Sequence, residues 1–336
     1  MLLRNNKGSL SVTALWMLAL LTLLATGVMR TALMGLRLDG YALRATEASW
    51  LARAGIWHAI ALLKHDAVSD SLNYDALIDP WANSPELLRH VNCGNGFFEV
   101  SYALQAQNGN RNDGYGMRDE NRKININLAS ADVLLRLPGM NPEKVAALLD
   151  WRDKDDLTRD NGAENAYYRR LLNPYSCKNA ALDMMQEILF VKGFSAEDVQ
   201  VLSPLTTLYG DGAVNINTTS AEVLAILGLS KASARQIIKV RLGTDKLPFT
   251  KDDNIFKNPG DIVDTLMPLV KLKPTEQALL RRLVDERLLG VHSTDFTIQS
   301  VGVTQGGKVR KKISAVVHRT HAREIKIVAW NEHAGP

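Results

Sequence analysis

The hydrophobic positions at the start of the chain form one long, uninterrupted run. From Ser9 to Met29, 21 residues carry no charge and are rich in Leu, Ala, Met and Val. At a rise of about 1.5 Å per residue, a helix of this length crosses the hydrocarbon core of a bilayer. The run is longer than the apolar core, about 7–15 residues, of a cleavable secretory signal. The pattern therefore predicts a membrane-spanning helix.

Beyond Arg30 the pattern changes from uniformly apolar to amphipathic. Apolar residues continue at helical spacing from Leu33 to Leu63, and charged residues fall between them. No proline occurs before Pro80, so the sequence contains no strong helix breaker up to that point. We therefore predict one helix over residues 9–65, with its first half in lipid and its second half packed on a folded domain.

Strand-like patterns occur on both sides of the middle of the chain. Residues 96–108 (GFFEVSYALQAQN) alternate between apolar and polar side chains and precede a turn rich in Gly and Asn. Three further strand-like runs lie between 296 and 331, with Gly306 and Gly307 as a hairpin turn. An antiparallel sheet that packs on the amphipathic half of the long helix gives an α+β fold.

The segment between these strands contains an internal repeat. KININLASADVLLRLPGMNPEKVAALLDWR at 123–152 returns as AVNINTTSAEVLAILGLSKASARQIIKVR at 213–241. Each copy predicts a short extended N-I-N segment, a helix that starts at Ser130 or Ser220, a glycine turn and a second helix. We therefore predict a large all-α insertion over 123–290 that contains two helix-hairpin-helix units.

Helix-hairpin-helix units commonly bind DNA, because a Gly-x-Gly hairpin lets backbone amides approach a phosphate. Here Gly139 and Gly228 supply the first glycine, but Asn141 and Ser230 replace the second. Across 123–290, 22 Lys and Arg residues balance 22 Asp and Glu residues, whereas a surface that follows phosphates is basic. This favours packing units, and we expect no nucleic-acid partner.

Length, composition and net charge indicate the general class of the protein. With 336 residues, 46% of them hydrophobic, the chain can bury a sizeable core, and its net charge is only +4. Arg4 and Lys7 precede the apolar run. Positive charges on this side predict that the remainder of the chain lies on the side of the membrane away from the cytoplasm.

Cys93 and Cys177 are the only cysteines; in an oxidising compartment, a disulfide between them and two free thiols are equally compatible with the sequence. We find no catalytic motif and predict that the protein is not an enzyme.

An acidic segment follows the first repeat. Asp153, Asp155 and Glu164 occupy positions 1, 3 and 12 of DKDDLTRDNGAE, the spacing at which an EF-hand loop places calcium ligands. The glycine expected at position 6 is Thr158, which argues against a true EF-hand. A looser calcium loop that uses Asp153, Asp155, Asp156 and Glu164 and a solvated acidic loop both remain open.

The chain as a whole resembles one family. The resemblance rests on Lys7-Gly8 before the apolar helix, DENRKININ, DWRDKDDLTRDNGAENAYY at 150–168, PYSCKN at 174–179 and the second unit VNINTTSAEVL. Together these segments resemble the K-type minor pseudopilins of type II secretion systems. The resemblance implies a leader at 1–8 that a prepilin peptidase removes between Gly8 and Ser9. It also implies a pseudopilin α/β domain formed by 66–122 and 291–336, and calcium bound in the helical insertion.

The resemblance also implies a function. Most pilin-like subunits have Glu five residues into the mature chain, and Thr13 stands there in this sequence. A subunit at the filament tip has no terminal amine above it to pair with such a carboxylate. We therefore expect a single-pass inner-membrane protein with a periplasmic domain that starts the pseudopilus at its tip and supports export across the outer membrane. The expected partners are the I-, J- and H-type minor pseudopilins and the major pseudopilin. The alternative is a membrane-tethered helix-hairpin-helix protein that binds DNA.

Overall fold

The computed structural model describes residues 7–66, 74–104, 112–307, 309–320 and 324–332. The helices, in chain order, are α1 (Lys7–Asp66), α2 (Pro85–Leu88), α3 (Ala131–Leu135), α4 (Pro142–Arg152), α5 (Asn165–Tyr168), α6 (Ala196–Leu202), α7 (Ala221–Ile226), α8 (Lys231–Arg241), α9 (Ile262–Leu266) and α10 (Pro274–Asp285). Short 3-10 helices lie at Met185–Phe190 and Pro259–Asp261. The strands are β1 (Val91–Cys93), β2 (Gly96–Val100), β3 (Tyr102–Leu104), β4 (Asn112–Gly114), β5 (Arg118–Asp119), β6 (Ile124–Asn125), β7 (Thr206–Thr207), β8 (Val214–Asn215), β9 (Leu289–Gly290), β10 (Asp295–Thr304), β11 (Arg310–Arg319) and β12 (Ile325–Asn331).

Helix α1 confirms the predicted long helix and divides into two parts. It has 60 residues, which correspond to a length of about 90 Å. Every side chain from 10 to 34 is exposed, and this part is long and apolar enough to cross a membrane. From Ala48 onward one stripe of the helix is buried, and its members recur every three or four residues: Ala48, Leu51, Ala52, Ile56, Ala59, Ile60 and Leu63.

The buried stripe of α1 packs on a six-stranded antiparallel sheet. Its strand order is β1-β2-β10-β11-β12, and β5 pairs with the first residues of β10. Inward-facing residues such as Phe98, Ile298 and Val317 form one core with the helix. The three predicted C-terminal strands and the α+β class with a helix on an antiparallel sheet are therefore confirmed.

The helix approaches the sheet to backbone distance at two glycines. A Cβ atom on Gly302 of β10 would lie 2.0 Å from the carbonyl oxygen of Ala48 and 2.4 Å from the amide nitrogen of Ala52. On the helix side, a Cβ atom on Gly55 would lie 2.1 Å from Ser300 Oγ and 2.9 Å from the ring of Phe98. Only residues without a side chain fit at these contacts, and larger residues would push α1 off the sheet.

The strand predicted over 96–108 is divided in the structure. Its first part, β2, joins the six-stranded sheet, whereas β3 pairs with β4 in a separate two-stranded sheet. The break falls at Ser101, whose amide still donates to Gln299 O at 3.1 Å. Residues 105–108 lie outside the described residues.

The insertion is mainly helical, but the prediction that it is all-α was wrong in one respect. Two pairs of two-residue parallel strands lie within it, β6 with β7 and β8 with β9. They form because each N-I-N segment is extended and its backbone groups need partners, which a returning segment supplies. The helices of the insertion share a hydrophobic core with Ile126 and Ile216, both fully buried.

The two copies of the repeat use the same buried amide contacts. Asn127 exchanges two hydrogen bonds with the backbone of Leu182, and the equivalent Asn217 exchanges two with the backbone of Phe256. At the end of each second helix an arginine returns to the same segment. Arg152 donates to the carbonyls of Ile126 and Ala129, and Arg241 donates to those of Ile216 and Thr219. The residues that match in sequence therefore hold each unit together internally.

A buried polar network joins the insertion to the sheet. Asp119, on β5, accepts hydrogen bonds from Ser293 Oγ at 2.7 Å and from the hydroxyl of Thr218. Ser293 N also donates to Asp75 Oδ2 at 2.8 Å, and Asn215 Nδ2 donates to Asp75 O at 3.0 Å. Each of these groups lies in the interior, where an unpaired polar atom is costly, so the network fixes how the insertion sits on the sheet.

Acidic side chains in and beside this network have raised pKa values. Burial, together with repulsion from the neighbouring Asp75, raises the pKa of Asp66 to about 6 and that of Asp79 to about 7. Burial likewise raises the pKa of Asp119 to about 7. Arg319 pairs with Asp66 at 3.6 Å and also with Asp75, which opposes the shift at Asp66. These carboxyl groups bind protons more tightly in the folded chain than in the unfolded chain, so they stabilise the fold at low pH.

We predict that Gly302→Ala destabilises the protein by about 3 kcal/mol, because its Cβ atom meets helix backbone that has no alternative rotamer. Urea unfolding of the full chain in detergent measures this. Gly260→Ala is the matched control, since a Cβ atom there meets nothing within 4 Å. Equal stability of the two variants would contradict the close packing of α1 on β10.

We also predict that the free energy of unfolding falls between pH 5 and pH 8 and that Asp79→Asn removes part of this slope. A carboxyl with a raised pKa contributes stability that is fully present below its unfolded value and is lost as the pH rises through the folded value. For Asp79, with a folded pKa of about 7, the loss over this window is about 2 kcal/mol. Asn keeps the acceptor for Ala76 N and Trp81 Nε1. An unchanged slope in Asp79→Asn would refute the assignment.

Candidate metal centre and helix pairs

Three acidic side chains meet where α4 ends. Asp150 lies in the last turn of α4, Asp153 directly follows the helix and Glu164 precedes α5. One carboxylate oxygen from each lies within 4.8 Å of the others, and Asp150 and Glu164 are buried. The turn between the two helices returns the chain so that the end of α4 and the start of α5 face each other.

The oxygen atoms of this cluster lack enough protein donors. Both oxygens of Glu164 and Oδ1 of Asp153 are buried and have no hydrogen-bond partner among the described residues. Burial, with repulsion from Asp150, Asp153 and Asp156, raises the pKa of Glu164 to about 7. Buried carboxylate oxygens without donors are costly, and a cation coordinated by them removes that cost.

Arg159 supplies the only positive charge that contacts the cluster among the described residues. Its Nη1 donates to Asp150 Oδ1 at 2.8 Å and to Asp153 Oδ2. Ala163 N donates to the second oxygen of Asp150 at 2.8 Å. Three carboxylates against one guanidinium leave an excess of negative charge and free oxygen atoms. This donor set suits a hard cation such as calcium, which takes six to eight oxygen ligands in flexible geometry.

The structure brings together two of the four ligands predicted from the sequence. Asp153 and Glu164 lie in the cluster. Asp155 instead accepts a hydrogen bond from Leu157 N at 2.8 Å in a local turn. Asp156 accepts from Asn165 Nδ2 at 2.6 Å and Asn179 Nδ2 at 3.1 Å. The sequence interpretation missed Asp150, although its spacing of three residues from Asp153 at a helix end places the two side chains on one face.

The two helix pairs of the repeat, α3 with α4 and α7 with α8, turn at glycines. Gly139 and Gly228 have φ values of 78° and 113°, a backbone region that other residues rarely adopt. Asn141 caps α4 through a bond from Lys144 N, and Ser230 caps α8 through a bond from Ser233 N. Asn141 and Ser230 stand where the second hairpin glycine was expected, and their side chains satisfy helix amides internally.

An internal carboxylate lies against each hairpin. Asp198 Oδ1 pairs with Lys144 Nζ at 2.7 Å, and the same Nζ donates to Gly139 O at 3.0 Å. At the second hairpin, Glu276 accepts from Ser230 N at 3.2 Å and from Ser233 Oγ at 2.9 Å. A bound phosphate would need these same donors. The chain's own acids therefore already accept hydrogen bonds from these donors.

The two cysteines are not bonded to each other. Cys93 is an exposed free thiol on the edge strand β1, and Cys177 is a buried free thiol in the core of the insertion. The disulfide that the sequence left open is therefore absent, because its two ends belong to separate parts of the fold. Burial raises the pKa of Cys177 to about 12 and keeps it as a neutral thiol.

The apolar end of α1 includes Thr13 as a polar residue. Lys7, Gly8 and Ser9 belong to the helix. Thr13 lies on the exposed part, and its hydroxyl donates to the carbonyl of Leu10 at 2.9 Å. The polar group at this position is thus satisfied within its own helix and requires no partner from another chain.

The chain is similar to known components of secretion systems. Residues 103–211 match the family model described as "Type II secretion system (T2SS), protein K". Type II secretion system protein K of Klebsiella pneumoniae is 28% identical over 252 residues, which cover 71% of this chain and 76% of that protein. The same-named protein of Aeromonas hydrophila is 40% identical over 84 residues, which cover 24% of this chain and 25% of that protein.

The fold also has a counterpart among solved structures. A chain in the crystal structure of the GspK-GspI-GspJ complex from the type 2 secretion system of enterotoxigenic Escherichia coli superposes with a TM-score of 0.64. The match covers 89% of this chain and 99% of that chain at 16% sequence identity. This likeness shows that the two chains share a fold.

Proposed function

We propose that this chain is a K-type minor pseudopilin of a type II secretion system that starts the pseudopilus at its tip and supports protein export. Thr13 is the main observation behind this proposal. Its side chain has no charge, and its hydroxyl donates a hydrogen bond to Leu10 O in the same helix. Most pilin-like subunits have a glutamate at this position, which pairs with the terminal amine of the subunit above. A subunit without that carboxylate needs no subunit above it, as expected at a filament end.

The shape of the chain supports the same position. The insertion places a second, larger hydrophobic core beside the α/β core that α1 forms with the sheet. A subunit within a helical filament is surrounded by identical neighbours above and below. A tip subunit has neighbours on one side only, so its additional domain meets no further subunit.

We propose that α1 supplies the contacts to neighbouring subunits. Its apolar part is exposed throughout, and small residues, Ala14, Ala19, Ala25 and Gly27, allow other helices to approach closely. The proposed partners are the I-, J- and H-type minor pseudopilins and the major pseudopilin. The solved complex of GspK with GspI and GspJ supports the first two by analogy.

The apolar run also defines the proposed topology. Arg4 and Lys7 would stay in the cytoplasm, and the sheet and insertion would lie in the periplasm. A prepilin peptidase would cut between Gly8 and Ser9, because glycine allows the close backbone approach that such an enzyme requires. The role is architectural: the relatives are secretion components, and the protein needs no reaction to perform it.

The alternative function, a membrane-tethered DNA-binding protein, is not favoured. Asp198 and Glu276 occupy the hairpin donors that a phosphate would need. The charges of residues 123–290 also cancel, which removes the general attraction to a polyanion.

We further propose that calcium binds among Asp150, Asp153 and Glu164. The buried, unpartnered oxygens of Asp153 and Glu164 support the proposal. When bound, the ion would tie the end of α4 to the start of α5. Magnesium fits less well, since it demands near-ideal octahedral geometry from ligands at shorter distance.

We predict that the mature chain begins at Ser9. Lys7-Gly8 directly precedes the uncharged run, and cleavage there leaves the apolar helix as the new amino terminus. Intact-mass analysis of the membrane form from cells with an active prepilin peptidase tests this. A mature chain that begins at Met1, or beyond Met29, would rule out the proposed processing.

We predict that Thr13→Glu weakens assembly of the tip. An unpaired carboxylate in the span costs about 2.5–3.5 kcal/mol at mid-membrane, and a tip subunit has no amine above it to pair with the acid. Co-purification of the I- and J-type pseudopilins from solubilised membranes should fall, while the periplasmic fold stays intact. Thr13→Val is the matched control and should assemble normally. Undiminished co-purification with Thr13→Glu would count against the tip position.

We predict that calcium removal lowers the melting temperature of the full chain in detergent. Binding to the folded state alone stabilises it by about 2.7 kcal/mol when free calcium is one hundred times its dissociation constant. Asp153→Asn combined with Glu164→Gln should abolish the response to chelator. Asp155→Asn is the control and should retain it, because Asp155 caps a local turn. Identical melting curves with calcium and with chelator would leave the acids as a structural cluster.

A further inference from the structure

A groove runs between the two helix pairs of the insertion. It has a volume of about 460 Å³ and lies between residues of the first pair, Arg136 and Pro138, and residues of α7 and α8 in the second. Its floor is apolar and is formed by Leu205, Ala225 and Ile226. Neither the internal contacts of the repeat nor the proposed calcium site uses this groove.

The rim of the groove is basic. Arg136, Lys231 and Arg235 line it, all three are exposed, and Glu222 is the one acidic residue among the lining side chains. Within the described part of the chain, none of the three basic side chains forms an ion pair. The Arg136 guanidinium reaches across to the second pair, because a Cβ atom on Gly228 would lie 3.8 Å from Arg136 Cζ. Both copies of the repeat therefore contribute positive charge to one opening.

This combination defines the chemistry of a partner. An apolar floor gains free energy when it buries an aliphatic side chain, and an unpaired basic rim attracts carboxylates. A nucleic acid fits less well: the lining residues include no aromatic side chain on which a base could stack, and Asp198 and Glu276 occupy the hairpin donors. Rim charges also act over several ångströms and speed the encounter with an acidic segment.

We propose that this groove binds an acidic peptide segment of another protein. An aliphatic side chain of the segment rests on Leu205, Ala225 and Ile226, and its carboxylates pair with Arg136, Lys231 and Arg235. This interaction goes beyond the tip role and does not depend on it, because the groove lies in the insertion, away from α1.

Fluorescence anisotropy with the full chain in detergent micelles tests the proposal. Three fluorescein-labelled dodecapeptides carry Leu at every third or fourth position and Glu, Gln or Lys at all others. We expect the Glu peptide to bind at least tenfold more tightly than the Gln peptide, and the Lys peptide to bind most weakly. Lys231→Glu combined with Arg235→Glu should weaken the Glu peptide at least tenfold. Ala225→Trp, which fills the floor, should also weaken it.

The matched control is Lys239→Glu combined with Lys271→Glu, which makes the same change in net charge at exposed sites outside the groove. It should bind the Glu peptide within twofold of the wild type, and unchanged melting temperatures confirm that all variants fold. The proposal is overturned if the Glu peptide binds no more tightly than the Gln peptide, or if the control weakens binding as much as the rim variant. A labelled twelve-nucleotide single strand that binds more tightly than the Glu peptide and displaces it would assign the groove to nucleic acid instead.

Discussion

The backbone contact between α1 and β10 is the constraint on which the rest of the structure depends. The two parts of α1 lie in different environments. The exposed apolar part needs lipid or other helices around it, whereas the remaining part packs in the hydrophobic core with the sheet. Gly302 and Gly55 allow the second part to lie directly on the sheet. This packing fixes the direction in which the apolar part of α1 projects from the sheet. It thereby also fixes how the sheet and the insertion are placed relative to the membrane.

The insertion depends on the sheet through a polar junction rather than an apolar one. Asp119 and Asp75 bind Ser293, Thr218 and Asn215 in the interior, and such bonds are directional. An apolar interface of similar size would tolerate sliding, whereas buried hydrogen bonds allow one arrangement. The cost is sensitivity to pH, because burial raises the pKa of Asp119 to about 7.

The repeat illustrates how a helix pair can keep its architecture without binding a phosphate. The asparagine and arginine contacts recur in both copies, so these residues are explained by the fold alone. The carboxylates of Asp198 and Glu276 complete the hairpins from within the chain. The surface that remains available to a partner lies between the pairs, at the groove rimmed by Arg136, Lys231 and Arg235.

Local patterns predicted much of this structure, and contacts distant in sequence account for what they missed. The long helix, the three C-terminal strands and the helices of the repeat follow from hydrophobic periodicity and capping residues, which act over a few positions. Asp198 and Glu276 reach their hairpins from 54 and 46 residues away, which no local pattern reveals. Asp155 matched a calcium-loop position by counting, but α4 extends to Arg152 and brings Asp150 to the cluster in its place. Whether Cys93 and Cys177 form a disulfide likewise depends on the distance between them in the fold, which local sequence patterns do not reveal.

The location of this subunit in an assembled pseudopilus tests the central claim most directly. Cys93 is exposed and Cys177 is buried, so maleimide-linked gold labels one site per chain without further engineering. Sheared pseudopili labelled in this way and imaged by electron microscopy should carry gold at one end only, and Cys93→Ser filaments should carry none. Gold distributed along the filament would contradict the tip position.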